Sequence, residues 1–501
     1  MAGYHVENFG CRTSQADGDT IANALEQQGL CRAHAPGEAD VVIVNTCTVT
    51  AEADRDARAY IRKMHRGRAG ARIVVTGCYA QRAPQELAAL PGVSAVVGNS
   101  HKQHAATIAT QGWAATPSVP AGQYPIELAN FVPLAGIAAA PTAASVVGAG
   151  GLHAPIFAHS FLSDAAPVAG DHPFWSGVAV EDSAWHPRAG RTRPSLKIQE
   201  GCGNRCTFCV IPETRGSSRS LPRTEVLRAV RSFAGAGGVE MVLTGINLGR
   251  WGRDLQPVDD FADLVAAILD ETALPRLRIS SVEPMDWSAA LLALFARHAQ
   301  GAHPRLARHA HLPLQSGSDA VLRRMHRRYR PWHYAAQVEA IHNMQPQAAL
   351  GADVMVGFPG ESDAEFQECY AFIASLPFTY LHLFPFSARP GTPAWALHCE
   401  HPVAGDAVRE RMLALRTLIE EKSCVFRQSL LGQPLSVVTL ETNAALRAQG
   451  LTEALADNFI PIRIAAELPA NRLLRVTAQA LAGEALAATP IEESIAHDGP
   501  C

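Results

Sequence analysis

The opening residues MAGYHVENFGCRT contain neither a basic start followed by an apolar core nor a lipidation signal, which argues against export and against a lipid anchor. Positive charge is not in excess either. With 43 Lys and Arg against 47 Asp and Glu the net charge is −4, so any contact with nucleic acid has to come from a local patch. The stretch from Leu128 to Ser163 has no charge at all, yet Pro133, Pro141 and Pro155 interrupt it and its Ala/Gly content is weakly apolar, which argues against a membrane span. Eleven cysteines without a leader read as reduced thiols and metal ligands rather than a disulfide framework, and the expected compartment is the cytoplasm. A second metal-type pair is also missing. After Cys209 no Cys-x-x-Cys or His-x-x-x-His follows, and the next cysteine is Cys369 in the helical-looking run ESDAEFQECYAF. Closed zinc sites join two ligand pairs, so structural zinc fits poorly.

What the chain does have is the run EGCGNRCTFCVIP, with Cys202, Cys206 and Cys209 separated by three and then two residues. A cubane iron–sulfur cluster takes a thiolate on each of four irons; a loop offering three leaves one iron open to something other than protein. An open iron suggests chemistry rather than storage of an electron.

A length of 501 residues and 48% hydrophobic content allow two or three domains with sizeable cores. In the first hundred residues HVENFG (5–10), DVVIVNTC (40–47) and RIVVTGC (72–78) read as parallel strands, each followed by a helical segment. Cys11, Cys47 and Cys78 then stand at the carboxyl ends of these strands, which share one edge in a doubly wound sheet. That edge is a candidate second three-thiolate site. Cysteine also packs at strand ends as a small hydrophobe, and the strand pattern alone leaves both readings open.

Residues 113–190 are rich in Ala, Pro, Gly and Ser with only six charges, and read as an insertion, a flexible linker or a lid. From residue 191 the alternation resumes with LKIQEGC (196–202), VEMVLTGIN (239–247), RLRISSVEP (276–284), HAHLPLQSG (309–317), ALGADVMVGFP (349–359) and YLHLFPFSARP (380–390). Six strands between helical segments predict a partial (β/α)6 barrel, with its chemistry at the carboxyl strand ends, where the cysteine loop lies. Gly245, Asn247, Ser281, Glu283 and Gln315 stand at those ends as candidate cofactor-binding residues. Gly357 and Gly360 in VGFPGE lack the lysine of a phosphate loop and read as turn glycines. The run LRRMHRRYR brings Arg323, Arg324, Arg327, Arg328 and Arg330 near Arg305 and Arg308, a candidate phosphate-binding patch for RNA. Residues 429–501 read as a small separate β domain. From Gly432 onward it carries four arginines, no lysine and eight acids, the wrong balance for phosphate binding.

Assembled, these pieces resemble the radical S-adenosylmethionine methylthiotransferases, the MiaB/MtaB/RimO group. The CxxxCxxC loop with Phe208 before its last cysteine is similar to the radical signature, and NFGCRTSQAD, VNTCTVT and TGCYAQ are similar to the amino-terminal domain of that group. The resemblance implies four parts: an amino-terminal domain (1–112), the insertion (113–190), a radical-type partial barrel (191–428) and a TRAM-like β domain (429–501). It implies S-adenosylmethionine and two 4Fe-4S clusters, with Cys202, Cys206 and Cys209 catalytic on one and Cys11, Cys47 and Cys78 holding the other. RISSVEP, LPLQSGS, LGADVMVGFPGE and FPFSARPGTPA most resemble the branch that places a methylthio group on C2 of threonylcarbamoyladenosine beside the tRNA anticodon. The alternatives are isopentenyladenosine in tRNA, an aspartate of a ribosomal protein, or a zinc-stabilised RNA-binding protein without catalysis. The implied partners are tRNA, an electron donor such as flavodoxin or ferredoxin, and a sulfur donor the sequence does not identify. The expected form is a monomer with no membrane association.

Overall fold

The computed structural model describes residues 2–68, 70–110 and 192–491. The expected insertion at 113–190 and Cys501 lie outside the described residues.

The amino-terminal sheet consists of Gly3–Asn8 (β1), Cys31–Arg32 (β2), Val41–Thr46 (β3), Arg72–Gly77 (β4) and Val93–Val97 (β5), all parallel in the order β2-β1-β3-β4-β5. Its central strand β3, VVIVNT, is buried at every position. Such a run needs cover on both faces, which is the doubly wound arrangement. Arg12–Gln27 (α1) packs Ile21 and Leu25 with Tyr4, Ile43 and Val74 on one side. Ala51–Gly67 (α2) packs Ile61 and Met64 with Val42, Val44 and Val75 on the other. Thr50 starts α2 by accepting a hydrogen bond from Ala53 N at 3.2 Å. The sequence reading found three of the five strands. It missed β2, which is two exposed residues, and β5, whose VSAVV is only partly buried.

The barrel has six parallel strands, Ser195–Glu200 (β6), Glu240–Gly245 (β8), Arg276–Ile279 (β9), His309–His311 (β10), Ala349–Val356 (β11) and Tyr380–Pro385 (β12), with the short Arg219–Ser220 (β7) antiparallel on β6. Between β9 and β10 the ladder thins to the bridges Leu277↔Leu306 and Ser281↔His311. The segment expected as a strand over 309–317 stops at His311. Pro313 has no N–H to give to a ladder, and Gln315 takes φ 66. Helices cover the outside, where Leu243, Leu277, Leu350, Val354, Phe233 and Phe295 share one apolar core.

Pro434–Thr439 (β13), Thr452–Ala456 (β14), Pro461–Ile464 (β15), Leu473–Ala482 (β16) and Ala485–Pro490 (β17) close into a small barrel around Leu435, Val437, Ile462, Val476 and Leu486. It packs against the large barrel, a contact the sequence did not show. Asp457 and Phe459, in the β14–β15 turn, press against the amino ends of the large barrel's strands. Arg308 donates to Asp457 Oδ1 at 3.1 Å, and the Phe459 ring lies 4.6 Å from that of His309 and 5.5 Å from that of Tyr380. Asn471 adds a bond to Gly237 O at 2.9 Å. The acidic Asp457 thus neutralises an arginine inside the protein, something charge counting could not show.

Glu240 at the start of β8 is fully buried among Arg193, Arg276 and Arg278. Burial alone would raise its carboxyl; the three arginines outweigh it and hold Glu240 at about 2. Among the described residues no helix is long and apolar enough to cross a membrane.

Candidate functional site: two cysteine triplets joined by a buried arginine

The first triplet is fixed by backbone that only glycine tolerates. Gly201 leaves β6 at φ 70, and a Cβ there would fall 1.9 Å from Ser217 O. Gln199, pointing from β6, then staples the loop: its amide donates to the carbonyls of Glu200 and Gly201 at 2.9 and 2.8 Å, while its carbonyl accepts from Asn247 N at 2.7 Å. A Cβ on Gly245 would lie 2.9 Å from the Gln199 Cβ, so the residue expected to contact cofactor also makes room for this staple. Asn247 Nδ2 and Asn204 N donate to Cys202 Sγ at 3.5 and 3.4 Å. Arg327 Nη1 donates to Cys206 Sγ at 3.2 Å. The ring of Phe208 meets that of Phe358 edge-on at 6.5 Å, anchoring the loop's end.

The second triplet forms where β1, β3 and β4 end. Gly10 has φ 105, and a Cβ on it would stand 2.8 Å from Cys47 Sγ, which measures how closely the Cys11 turn meets Cys47. Gly77, at φ 100, turns β4 into the helix Cys78–Arg82 (α3), bringing Cys78 to the same edge. Val49 N donates to Cys47 Sγ at 3.5 Å and Asn99 Nδ2 to Cys78 Sγ at 3.6 Å. Cys11 is exposed, whereas Cys47 and Cys78 are buried.

The thiols of each triplet act on one another. Burial, with the neighbouring thiols adding to it, pushes Cys47 up to about 12 and Cys209 to the same value. Thiols held protonated in this way ionise on binding a metal, so these sites suit metal-bound thiolates. Zinc would draw thiolate sulfurs to roughly 3.8 Å of one another. Among the described residues, the trio whose ligand atoms all lie within 4.8 Å is His311, Asp353 and His382, and neither cysteine triplet is that tight.

Arg215 links the two sites. It ends the helix Ile211–Arg215 that follows Cys209, and donates from Nε to Cys78 Sγ at 3.1 Å and from Nη2 to Ser14 Oγ at 3.2 Å. Its Nη1 meets Glu200 at 2.5 Å and Asp17 at 3.3 Å, and Lys102 Nζ contacts the same two carboxylates at 3.2 and 2.7 Å. Lys197 adds a contact to Glu200 at 2.7 Å. Three cations face two carboxylates, and the remaining positive charge lies against the Cys78 sulfur. Burial would raise the Glu200 carboxyl, but Arg215, Lys102 and Lys197 hold it well below the ordinary range. Sequence reasoning missed this network. Its signal was present in SLKIQE, where charges occupy a strand that must be covered on both faces.

The remaining candidates divide. Ser281 Oγ pairs with His311 Nδ1 at 2.7 Å, Glu283 pairs with Arg327, and Gln315 bridges to Val354. The arginine patch is corrected. Arg327 is 7% exposed and committed to Cys206, Glu283 and Tyr329, with Nε 3.2 Å from the Tyr329 hydroxyl. Arg324 holds Glu365, Arg323 and Arg330 hold Asp319, Arg308 holds Asp457, and Arg305 donates to the carbonyls of Thr272 and Leu274. Arg328 stays exposed. The run alternates exposed and buried positions, and Asp319 just before it, with Glu283 and Glu365 from other segments, pairs most of its charge. Cys369 is buried and accepts from Gly317 N at 3.1 Å, which places it in the core.

Comparison with known proteins agrees with this anatomy. Residues 3–98 match the uncharacterized protein family UPF0004, and residues 196–373 match the radical SAM superfamily. The threonylcarbamoyladenosine tRNA methylthiotransferase MtaB of Aquifex aeolicus is 33% identical over 470 residues, 94% of this chain and 98% of that protein. The chain belongs to the radical S-adenosylmethionine methylthiotransferases. MtaB of Bacillus subtilis is 30% identical across 92% of this methylthiotransferase and 90% of its own length. A tRNA-2-methylthio-N(6)-dimethylallyladenosine synthase of Frankia alni is also 30% identical, over 87% of this chain and 77% of its own. The fold resembles that of TsrM, a radical S-adenosylmethionine methyltransferase of Kitasatospora setae, at TM-score 0.52 and 16% identity over 79% of this chain and 75% of that one.

Proposed function

We propose that this methylthiotransferase places a methylthio group on C2 of N6-threonylcarbamoyladenosine beside the tRNA anticodon. In this reading Cys202, Cys206 and Cys209 hold one 4Fe-4S cluster and Cys11, Cys47 and Cys78 hold the other. The observation that carries it is the pair of three-thiolate sites, with Arg215 from the helix after Cys209 donating to Cys78, each site one ligand short of closing a cubane.

With S-adenosylmethionine bound, the first site supplies the one-electron chemistry that opens an aromatic C–H bond, for which no side-chain base serves. The chain's own part is positioning. Gln199 and Asn247 fix the Cys202 turn, Arg327 places its charge on Cys206 and Glu283, and Arg215 ties Cys78 to the barrel. Gly245, Asn247, Ser281, Glu283 and Gln315 form the cofactor's binding rim. Among the relatives above, two are named for threonylcarbamoyladenosine and one for dimethylallyladenosine, and the first substrate is the one assigned. The enzyme works as a monomer in the cytoplasm on tRNA, with a flavodoxin- or ferredoxin-type electron donor.

Mass spectrometry of tRNA nucleosides tests the assignment. A strain lacking the gene should lose 2-methylthio-threonylcarbamoyladenosine and regain it on complementation. Loss of the methylthiolated isopentenyl nucleoside instead would move the enzyme to the other branch.

A further inference from the structure

Arg12 directly follows Cys11, and its guanidinium lies over the ring of Phe459, 5.4 Å from the centroid. The side chain is half-buried, and among the described residues it makes no hydrogen bond and no ion pair. The groups around it are Tyr380, Arg278, Arg193 and Glu240, all of the barrel floor. The acids there are taken: Glu240 is shared among Arg193, Arg276 and Arg278, and Asp457 is paired with Arg308. Arg12 therefore adds a positive charge to a region whose carboxylates are already paired.

The wall above that floor is polar and open. Leu381 and Leu383 on β12 face the apolar core, so His382 between them faces the lumen, where it remains 60% exposed. Its ring lies 5.3 Å from that of Tyr380 and 5.1 Å from that of His311. Asp353 cannot serve Arg12. It accepts from His382 Nδ1 at 3.1 Å and stands 3.4 Å from His311 Nε2, so its charge is used by the histidines. A partly desolvated guanidinium with five donors and no partner is costly unless a ligand supplies the acceptor, and a carboxylate is the group that meets its fork.

We propose that Arg12 over Phe459, with Tyr380 against that ring and His382 next to Tyr380, receives the carboxylate of the threonylcarbamoyl group and so selects this nucleoside over adenosines with an apolar N6 substituent. The proposal rests on the substrate reading above. It makes Arg12 a specificity residue placed one position after a proposed cluster ligand, so that presenting sulfur and reading the substrate share a single turn of chain.

The test uses anaerobically reconstituted full-length enzyme and a tRNA stem-loop carrying threonylcarbamoyladenosine, beside the same RNA with that carboxylate converted to its methyl ester. Wild type should lose roughly ten- to a hundredfold in kcat/KM on the ester, the loss expected for a hydrogen-bonded charge pair. Arg12→Ala should lose a similar factor on the acid, mainly through KM, with no further loss on the ester, and Arg12→Lys should recover part of it. Iron content separates this from damage at Cys11 and should stay at the wild-type level. If Arg12→Ala binds less iron, His382→Gln, which is remote from the cysteines in sequence, must show the same acid-versus-ester pattern. Equal losses on acid and ester in both variants overturn the proposal while leaving the substrate reading intact. Wild-type enzyme inactive on the acid overturns both.

Discussion

Replacing Arg215 by methionine is the sharpest structural perturbation available, because one buried side chain reaches both halves of the protein. Arg215 is 1% exposed and contacts Cys78, Ser14 and Asp17 of the amino-terminal domain and Glu200 of the barrel. Methionine fills a similar volume but leaves Lys102 and Lys197 alone to neutralise Asp17 and Glu200. Breaking a buried pair costs about 3–5 kcal/mol, and the two remaining lysines place the loss near the low end, about 3 kcal/mol. The urea midpoint of the iron-free protein should fall, with an unchanged dependence on denaturant. Removal of the donor to Cys78 should also lower iron at the amino-terminal triplet while the Cys202 site keeps its own. Arg215→Lys should restore charge without the three-way donation, and so recover only part of both losses. An unchanged midpoint with full iron in Arg215→Met would refute the network's role.

Gly10→Ala, whose Cβ would meet Cys47 Sγ at 2.8 Å from a φ of 105, should strain the Cys11 turn by about 1–3 kcal/mol and reduce iron bound at that triplet alone, read by iron analysis. Arg327→Gln should impair cleavage of S-adenosylmethionine and leave the salt dependence of RNA affinity unchanged, since Arg327 is spent on Cys206 and Glu283; a flatter slope of log Kd against log salt would return it to the RNA interface. Glu240 is lowered from 4.5 to about 2, so the stability it contributes is complete above about pH 4.5 and is lost as pH falls from there towards 2. That shift corresponds to about 3 kcal/mol, and the stability gap between wild type and Glu240→Gln should narrow over this window in urea titrations.

Much of the architecture was readable because it rests on local patterns. Continuous apolar runs such as VVIVNT declare a strand covered on both faces, and the cysteines followed those runs closely enough to be placed on one edge. The CxxxCxxC spacing is itself local. What escaped was everything set by partners distant in sequence. Arg327 looked like a phosphate contact because its neighbours in sequence are basic, and Cys206 and Glu283 lie 121 and 44 residues away. Arg215 reaches Cys78 across 137 residues. How the small carboxyl-terminal barrel docks was hidden, because the packing of its Asp457–Phe459 turn against Arg308, His309 and Tyr380 leaves no periodic trace.

The central claim is that two three-thiolate sites each hold a cluster and act together. Iron content and product formation should be measured side by side, anaerobically, in wild type and in two triple Cys→Ala variants, one at Cys11, Cys47 and Cys78 and the other at Cys202, Cys206 and Cys209. The account predicts about eight irons per chain in wild type and about four in each variant. Methylthiolated nucleoside should be absent from both variants, with cleavage of S-adenosylmethionine kept only where Cys202, Cys206 and Cys209 remain. Full iron in either variant, or methylthio product without Cys11, Cys47 and Cys78, would contradict it.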